Sequence, residues 1–445
     1  MKSTEHFTSE FGKWFQNSAT IKLVIIAFLS LLLMIPSAMI QELINERMEY
    51  SQQIVGEIDK NWAGGQLING PILTIPIEIK SGATEDEIIV TRNFFVLPEN
   101  LIVNGRVIPK ILSKGIYDAV VYQSELNING TINIAQNWEI EGVSRVRYDK
   151  AFLTMGVSDV KGIKEGMNVV WNGRGREIIP GTRIPDIIHS GVTIELDDLQ
   201  QNYTGYLDFE VSLNLNGSGN ISFIPIGKNT EVEIESSWTA PSFMGDFLPD
   251  TRAVSEEGFN ASWKILEFNR NFPQSWMDLD REESLNGSAF GVDFIIPVDN
   301  YKKSLRSVKY ALMVIALTFL MFFLFEITLE RRVHPFQYGL VGLGLTLFYI
   351  LLIALSEYVN FDLAYVISAL VIISMISLYS LAVFREKRKS GLLFCSLVGM
   401  YGFLFTILRL EEYALLIGSI GLVVILALVM YFTRNISWYD SGQKE

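Results

Sequence analysis

The feature that most constrains this 445-residue sequence is a set of six apolar runs with the length of membrane-spanning helices. About 20 apolar residues in a helix cross the hydrocarbon core of a bilayer, and each run reaches or approaches that length. Helices are the predicted structure because backbone polar groups find no other partners in hydrocarbon. One run lies near the N-terminus, at 21–40, and five lie in the last third, at 310–329, 340–356, 363–384, 392–408 and 413–432. The sequence therefore predicts one N-terminal span and a C-terminal five-helix transmembrane bundle.

The first run predicts a helix that stays in the membrane. Only Lys22 interrupts it, it is longer than the apolar core of a secretory signal, and no small-x-small cleavage site follows it. Residues 1–20 are interpreted as a cytoplasmic tail. The segment 41–65 predicts an amphipathic helical linker that ends at Ala63-Gly64-Gly65, because apolar side chains recur there at helical spacing, namely at Ile44, Met48, Val55, Ile58 and Trp62.

The segment 66–305 predicts a large all-β, sandwich-like domain outside the bilayer. Alternating or β-branched stretches such as 72–77, 88–90, 206–215 and 232–234 are separated by Gly, Asn and Pro. The chain has a formal net charge of −13, and most of its charged residues lie in this middle region. Such an acidic surplus repels nucleic acid, so nucleic acid is excluded as a partner.

Two stretches of this domain resemble each other and predict β-hairpins. Both 117–134 and 206–226 contain an Asn-Gly pair between β-type segments, which is a strong hairpin signal. Either a duplicated subdomain or repeated use of one turn chemistry explains the likeness. Short helices are predicted at 149–155 and 279–285.

The short connectors between the later spans predict the orientation. The connector 330–334 contains two basic residues and 385–391 contains four, whereas 357–362 has none and 409–412 has one. Basic residues in short loops favour the cytoplasm, so both termini, including the tail 433–445, are predicted to be cytoplasmic. Four basic residues at 302–309 oppose this assignment, but charges next to a long translocated domain carry less weight.

Two groups of charged residues near the ends of the spans are candidate functional sites. A carboxylate within a span is costly, and Glu326 is therefore either a relay or an ion-pair partner. Its predicted partners are Arg331, Arg332 and His334, with Arg385 across the next connector. A second group of charges lies at the other end of the bundle, namely Glu357, Asp362, Arg409, Glu411 and Glu412. They are interpreted as solvated interfacial residues that can pair across the mouth, with a substrate portal as the alternative.

Residue types and spacing give no signal of catalysis. His6, His189 and His334 lie in separate regions, and the single cysteine, Cys395, lies within a predicted span. No nucleophile elbow, P-loop or paired-cysteine motif occurs. The sequence thus predicts a non-enzymatic protein with no cofactor and no metal site. The remaining alternative is a membrane enzyme that acts on lipid or peptidoglycan precursors with a metal bound at the acid pairs 197–198 and 278/280.

Many motifs in one order resemble those of the CreD family of bacterial inner-membrane proteins. The resemblance covers about residues 20–435, and its motifs are Trp62 with Gly70-Pro71, Val96-Leu97-Pro98, Lys114-Gly115-Ile116-Tyr117, the run from Trp238 to Pro249, Phe272 to Trp276, Phe290 to Tyr301, Val333 to Gly342, and Ser356-Glu357. Two departures are Lys114, where the family pattern has an arginine, and Tyr358, where it has a histidine. No histidine role is therefore transferred to position 358.

The resemblance implies a multi-pass protein of the bacterial inner membrane, with a role in envelope integrity linked to colicin tolerance and envelope stress. It transfers no catalytic residue. The favoured hypothesis is that the periplasmic β domain binds an envelope component or protein partner. The candidate anchors are aromatic residues in loops, namely Trp238, Phe243, Phe247 and Trp276. Core and turn packing is the more common role of such residues. The alternative is a transporter or channel that uses Glu326 and the mouth charges. Besides the lipid bilayer, no partner is identified.

Overall fold

The computed structural model describes residues 19–81, 88–134, 142–197, 199, 205–277, 282–296, 300–329, 333–410 and 413–434. The chain divides into two compact units. The helical unit comprises Met1–Ser51 and Val298–Glu445, and the β unit comprises Gln52–Pro297. Phe7, Phe11, Trp14 and Phe15 recur at helical spacing, which favours either an amphipathic surface helix or a polar tail, and they lie outside the described residues.

The α-helices of the described residues follow the apolar runs closely. Their bounds are α1 (Ala19–Leu32), α2 (Met34–Trp62), α3 (Glu282–Gly287), α4 (Asn300–Lys309), α5 (Ala311–Leu329), α6 (Pro335–Ser356), α7 (Phe361–Phe384), α8 (Lys387–Arg409) and α9 (Ala414–Thr433). As predicted, α2 ends at Trp62, where Ala63-Gly64-Gly65 follows. Glycine favours such an end because it costs the most entropy to hold in a helix.

Four helices among the described residues are long and apolar enough to cross a membrane: Ile21–Trp62, Pro335–Ser356, Phe361–Phe384 and Lys387–Arg409. A fifth crossing results if α4 and α5, which are bent by 44° at their junction, form one span. The last predicted run contains a shorter apolar helix, Leu416–Tyr431. Several of the expected spans, including the N-terminal one, thus have candidate helices among the described residues.

The short interruption between α1 and α2 has a local cause in Pro36. Proline has no backbone N–H, so the carbonyl of Leu32 loses its usual donor four residues on. Hydrogen bonding continues on either side, from Leu33 N to Leu29 O at 3.0 Å and from Ser37 N to Leu33 O at 3.3 Å. The two helices therefore continue as a single apolar helix.

Glycines in α6 allow neighbouring helices to approach closely. A Cβ on Gly342 would collide with Leu33 and with the Phe319 ring of α5. A Cβ on Gly344 would lie 2.8 Å from Met375 of α7. Small residues have this role in membrane helix packing because they let backbones come together. Away from such contacts, apolar side chains such as Leu370, Leu378 and Val423 remain exposed on the helix surfaces, as lipid-facing residues are.

The β unit contains two mixed sheets within the described residues. Its strands are β1 (Gln66–Ser81), β2 (Ile88–Val96), β3 (Asn100–Lys114), β4 (Tyr117–Ile134), β5 (Val143–Val146), β6 (Ala151–Val157), β7 (Ile163–Trp171), β8 (Arg174–Arg176), β9 (Ile178–Pro180), β10 (Gly191–Leu196), β11 (Gly205–Ser218), β12 (Asn220–Phe223), β13 (Asn229–Ser236), β14 (Pro241–Gly245), β15 (Thr251–Ser255), β16 (Gly258–Leu266), β17 (Ser275–Met277) and β18 (Phe290–Phe294). A large β-rich domain is therefore confirmed.

The ten-stranded sheet has the order β14-β18-β12-β1-β6-β10-β9, with β2 and β5 also paired to β1 and β17 paired to β2. The eight-stranded sheet has the order β15-β16-β13-β3-β4-β11-β7-β8. The pairs β1–β12 and β3–β13 are parallel. Burial alternates along β3, and one hydrophobic cluster includes residues of both sheets. Alternation of this kind leaves one face of the eight-stranded sheet in solvent.

The two predicted Asn-Gly hairpins are wrong. Asn129-Gly130 lies inside the uninterrupted strand β4, which pairs along its length with β3 and with β11. Gly130 is required there for close approach, because a Cβ would collide with Asn100 O and the Phe209 ring. At the second site the chain turns at Gly219, at φ +70°, and passes from β11 of one sheet to β12 of the other. The two similar stretches are thus neighbouring strands.

The predicted helix at 149–155 is also wrong. Residues Tyr148–Lys150 form a 3₁₀ turn, and Ala151–Val157 form β6, buried along its whole length. A continuous apolar run of this length fits a strand covered on both faces, and periodicity alone does not separate it from a helix. The other short helix is predicted at 279–285. Residues 282–285 form the start of α3, and residues 279–281 lie outside the described residues.

The last turns of α2 belong to the β unit and contact the β3–β4 hairpin. The ammonium of Lys110 lies 4.4 Å from the centre of the Trp62 ring. Lys114, one of the two departures from the family pattern, pairs with Glu57 at 2.5 Å. Both bases therefore hold the hairpin against the helix.

Candidate functional site

Glu326, near the C-terminal end of α5, is a buried carboxylate with three hydrogen-bond donors around it. Lys22 Nζ of α1 lies 2.5 Å from Oε1, and the backbone N–H of Val333 donates to the same oxygen at 3.1 Å. The hydroxyl of Tyr338 on α6 donates to Oε2 at 2.9 Å. Only 4% of the Glu326 side chain is exposed. This Glu326 end of the helical unit therefore ties α1, α5 and α6 together.

This arrangement supplies the Glu326 carboxylate with hydrogen-bond donors and with an opposite charge. A carboxylate in a low-dielectric site is tolerated when an opposite charge and further donors surround it. Lys22 supplies the charge, and its side chain is 27% exposed. With both oxygens of Glu326 engaged, the site acts as a clamp between helices.

The residues predicted to surround Glu326 are placed differently. Arg331 and Arg332 lie outside the described residues. His334 is the N-cap of α6, where its Nδ1 accepts from Phe336 N at 3.2 Å and its backbone N–H donates to Gln337 Oε1 at 3.0 Å. Arg385 is the C-cap of α7 in a left-handed conformation, at φ 53°. His334 is thus engaged by helix capping rather than by the carboxylate.

Lys22 is the partner that sequence reasoning missed. It stands 304 positions before Glu326, so only the packing of α1 on α5 brings the two together. A signal was nevertheless present, because Lys22 interrupts the start of one apolar run and Glu326 the end of another, and antiparallel helices bring such ends together. Opposite charges buried at matching depth in a membrane usually pair.

Glu357 marks the other end of α6, and its carboxylate is 12% exposed. Its Oε1 accepts from the Tyr301 hydroxyl at 3.4 Å and lies 3.9 Å from Arg47 Nε of α2. Beside it, Asn300 Nδ2 donates to Ser356 O at 2.8 Å. This Glu357 end therefore joins α2, α4 and α6.

The other charges predicted at that mouth are less closely associated in the structure. Arg409 is an exposed residue at the end of α8. Asp362 lies in the first turn of α7, which Asn360 caps by accepting from Leu363 N at 2.9 Å. Glu411 and Glu412 lie outside the described residues. Glu357 is thus brought together with Arg47 and Tyr301, which sequence reasoning did not select.

The four aromatic residues proposed as binding anchors pack within the β unit. Trp238 Nε1 donates to Ala240 O and Ile295 O, each at 3.1 Å. Phe243 contacts Trp263 edge-on at 5.9 Å between ring centres, and Phe247 contacts Phe290 in the same way at 6.1 Å. Trp276 is buried and its ring centre lies 5.4 Å from that of Phe95. Trp276 is thus a core residue, and the half-buried Trp238, Phe243 and Phe247 pack against the core.

A groove of about 630 Å³ lies on the eight-stranded sheet, at strands β3, β13 and β16. Ile102 and Leu266 provide exposed apolar surface there. Glu231 and Lys264 form a 2.8 Å ion pair within it, and this pair lowers the pKa of Glu231 and raises that of Lys264. Glu233 and Asp250 add two further carboxylates, so the four charged groups are acidic on balance.

An exposed aromatic follows the groove residue Leu266 in the sequence. Phe268, in the 3₁₀ turn after β16, is 88% exposed and lies two residues from the groove residue Leu266. Sequence reasoning did not select it, because a single phenylalanine in a polar turn gives no periodic signal.

No group of three or more His, Cys, Asp and Glu suited to a metal ion occurs among the described residues. Asp197 of the first acid pair instead lies 3.3 Å from Arg176. Asp198, Asp278 and Asp280 lie outside the described residues.

Comparison with known proteins gives a consistent family assignment. A family model described as inner membrane protein CreD matches residues 18–439. The inner membrane protein CreD of Escherichia coli is 36% identical over 416 residues, which cover 92% of this chain and 91% of that protein. Among solved structures, an M1 zinc metallopeptidase from Deinococcus radiodurans is matched over 77% of this chain and 88% of that one, at 10% identity and a TM-score of 0.19. A similarity that weak carries no argument. The chain belongs to the CreD family of inner membrane proteins.

Proposed function

We propose that this protein is a non-enzymatic inner-membrane protein of the cell envelope, whose β unit faces the periplasm and binds an envelope partner through the groove. The observation that carries the proposal is the combination of exposed Ile102 and Leu266 with an acidic balance of charge in one groove, next in sequence to the exposed Phe268. Exposed apolar groups rimmed by polar ones are typical of interaction sites. The resemblance to the CreD family supports a role in envelope integrity as part of this proposal.

The chemistry of the groove favours an extended polypeptide segment of an envelope protein as the partner. Glu231 is neutralised by Lys264, so Glu233 and Asp250 leave a negative balance that complements a basic segment. Such complementarity determines specificity and association rate more than affinity. The apolar side chains of the segment would cover Ile102, Leu266 and Phe268.

The proposed orientation places both termini in the cytoplasm. The Glu326 end carries the basic residues of the α7–α8 connection, namely Arg385, Lys387, Arg388 and Lys389, and Lys389 lies 5.8 Å from the Phe325 ring centre. Positive charges of this kind favour the cytoplasmic face. The β unit then follows α2 on the periplasmic side.

The finer architecture belongs to the same proposal. We take the two sheets to be the layers of a sandwich, because residues of both enter one hydrophobic cluster. We take α4 with α5, and α6 to α9, to be five membrane crossings, which requires that Leu416–Tyr431 crosses with its flanking residues.

Crosslinking in intact bacteria tests the binding proposal. A photo-reactive amino acid replaces Ile102 or Leu266 in the full chain, and the matched control replaces Ile179, an exposed residue of the other sheet. The expected result is one shared adduct from both groove positions. That adduct is absent from the control and is lost when Glu233→Lys and Asp250→Lys are added.

Adducts of equal yield at Ile179, or none at either groove position, contradict the binding proposal.

A cysteine accessibility test checks the proposed orientation. Cysteine at Lys387 is expected to react only after the cytoplasmic face is opened, and cysteine at Ile179 is expected to react from outside.

A transporter is the alternative function, with Glu326 as proton carrier and the Glu357 end as its mouth. It predicts that Glu326→Gln abolishes the phenotype while Lys22→Met, which spares the carboxylate, retains it. The clamp predicts that both substitutions act alike, through reduced protein stability. Complementation measured beside protein abundance distinguishes the two.

A further inference from the structure

Seven described residues of the helical unit, Ser377 and Ser390 among them, carry a buried oxygen that no described protein group satisfies. The other five lie on α4, α6 and α8. They are Asn300, Ser304 and Ser307 of α4, Tyr349 of α6 and Tyr401 of α8, which we call the polar seam. The atoms are the Oδ1 of Asn300 and the hydroxyls of the other four. Those four side chains are each at most 2% exposed. Buried polar groups are nearly always hydrogen-bonded, so this group requires an explanation.

Three members of the polar seam line one face of α4. Ser304 and Ser307 follow Asn300 by four and seven residues, which places them on the same side of a helix. Asn300 also donates its amide N–H to Ser356 O at 2.8 Å, so this face is directed at α6. Helix α4 packs against both α6 and α8.

Tyr349 lies on the facing side of α6. It precedes Ser356 by seven residues, or about two turns, and therefore shares its face. The chain runs in opposite directions in α4–α5 and in α6, because Asn300 contacts Ser356 at one end and Glu326 contacts Tyr338 at the other. Ser304 and then Ser307 therefore lie successively closer to the level of Tyr349.

Ring contacts bring Tyr401 to the same place. The Phe348 ring centre lies 4.9 Å from that of Tyr349, 4.7 Å from that of Tyr401 and 5.3 Å from that of Tyr365. Tyr365, in contrast with the other two, donates its hydroxyl to Tyr401 O at 2.7 Å. Two of the three clustered phenols therefore lack a partner, and the third supplies a control.

The chemistry of the polar seam specifies its ligand. All five oxygens belong to neutral groups, and the four hydroxyls both donate and accept hydrogen bonds. Such groups are costly in a membrane unless they are satisfied. A neutral ligand that is small and can donate and accept meets these demands, and water is the ligand that buried polar groups commonly share. We propose that the polar seam binds ordered water molecules that bridge α4, α6 and α8.

Thermal unfolding of the full-length protein in detergent tests the proposal. In a dry seam, Tyr349→Phe and Tyr401→Phe delete a costly unpaired hydroxyl and raise Tm. In a hydrated seam they delete satisfied hydrogen bonds and lower Tm by about 2–4 °C each. Tyr365→Phe removes a direct hydrogen bond and lowers Tm in either case. The expected result is that all three variants shift downward, and an increase or no change for Tyr349→Phe and Tyr401→Phe overturns the proposal.

Radiolytic hydroxyl-radical labelling of the same full-length protein gives a second readout that needs no variant. Radicals form from water during X-ray exposure, so a buried tyrosine beside bound water is labelled faster than an equally buried dry one. Tyr349 and Tyr401 are expected to be labelled several times faster than Tyr338, whose hydroxyl is bonded to Glu326. Equal rates at the three tyrosines overturn the proposal.

Discussion

Lys22 Nζ and Glu326 Oε1 lie 2.5 Å apart, and this pair joins the N-terminal helix to a helix some 300 residues later. A polar contact at this place contributes strongly to the association of the first span with the others, because apolar surfaces gain little by leaving lipid for each other. The pair is therefore a main determinant of helical-unit assembly at the Glu326 end.

The first prediction concerns this pair. Lys22→Met leaves the buried carboxylate without its counter-charge and is expected to cost about 3 kcal/mol of unfolding free energy. Glu326→Met alone is expected to cost a similar amount. The double variant is expected to cost less than the sum by about 1 kcal/mol or more, measured by thermal or chemical unfolding in detergent. Additive costs would show that the two side chains act independently.

The second prediction concerns close packing at α6. Gly342→Ala puts a methyl group against Leu33 and Phe319 and is expected to cost about 1–3 kcal/mol. Gly339→Ala on the same helix is the matched control, because a Cβ there has nothing within 4 Å. Alanine is the better helix former, so the control is expected to be neutral or stabilising by up to about 1 kcal/mol. Equal effects on unfolding would contradict the packing assignment.

The third prediction concerns pH and the β unit. Hydrogen bonds from Arg147 lower the pKa of Asp149 to about 2 from its ordinary 3.8. The stability this carboxylate contributes is present above pH 3.8 and is lost as pH falls toward 2. Asp149→Asn is therefore expected to destabilise the unit at pH 6 and to match wild type near pH 2, as followed by tryptophan fluorescence. A difference independent of pH would contradict the linkage.

Asp293 is the matched contrast for this experiment. Burial raises the pKa of its carboxyl above 3.8, so its favourable contribution is present below that pH and is lost as pH rises through the higher folded-state pKa. Asp293→Asn is expected to stabilise the protein at pH 6, the opposite sign to Asp149→Asn. Destabilisation at pH 6 would show that the ionised carboxylate is required.

The fourth prediction concerns a buried arginine between loops. Arg270 donates to Phe272 O at 2.7 Å and to Ile226 O at 3.3 Å, and burial lowers its pKa to about 10. Arg270→Met leaves these carbonyls unpaired and is expected to cost about 2–4 kcal/mol in unfolding experiments. Arg252→Met, at an exposed arginine 5.9 Å from the Phe243 ring centre, is expected to cost under about 1 kcal/mol. The reverse order of costs would contradict this reading.

Features determined by local chemistry were predictable from the sequence. The apolar runs and the end of α2 at Trp62 follow from composition and spacing, because a membrane leaves few alternatives. The Asn129-Gly130 pair was misleading because its local turn preference yields to strand pairing on both sides of β4. The helix predicted at 149–155 failed because a fully buried strand has no distinguishing period.

The candidate sites were less predictable, since they depend on which segments meet. Glu326 could be identified from the sequence as a charge within a span. Its partner Lys22 could not be identified without knowing how the helices pack. Trp238 and Trp276 attracted attention as aromatics, yet a β core uses such residues at least as often as a surface does. The groove at Ile102 and Leu266 arises from three strands that are distant in sequence.

The two ion pairs of the N-terminal helix have a consequence for its orientation. Lys22 and Arg47 are 25 residues apart, which is about seven helical turns. The two basic side chains therefore project from nearly the same side of the helix. They are separated by about 37 Å, slightly more than the roughly 30 Å of hydrocarbon. A single ion pair would let the N-terminal helix rotate about its long axis. Two ion pairs, with Glu326 and Glu357, fix both its rotation and its depth in the membrane.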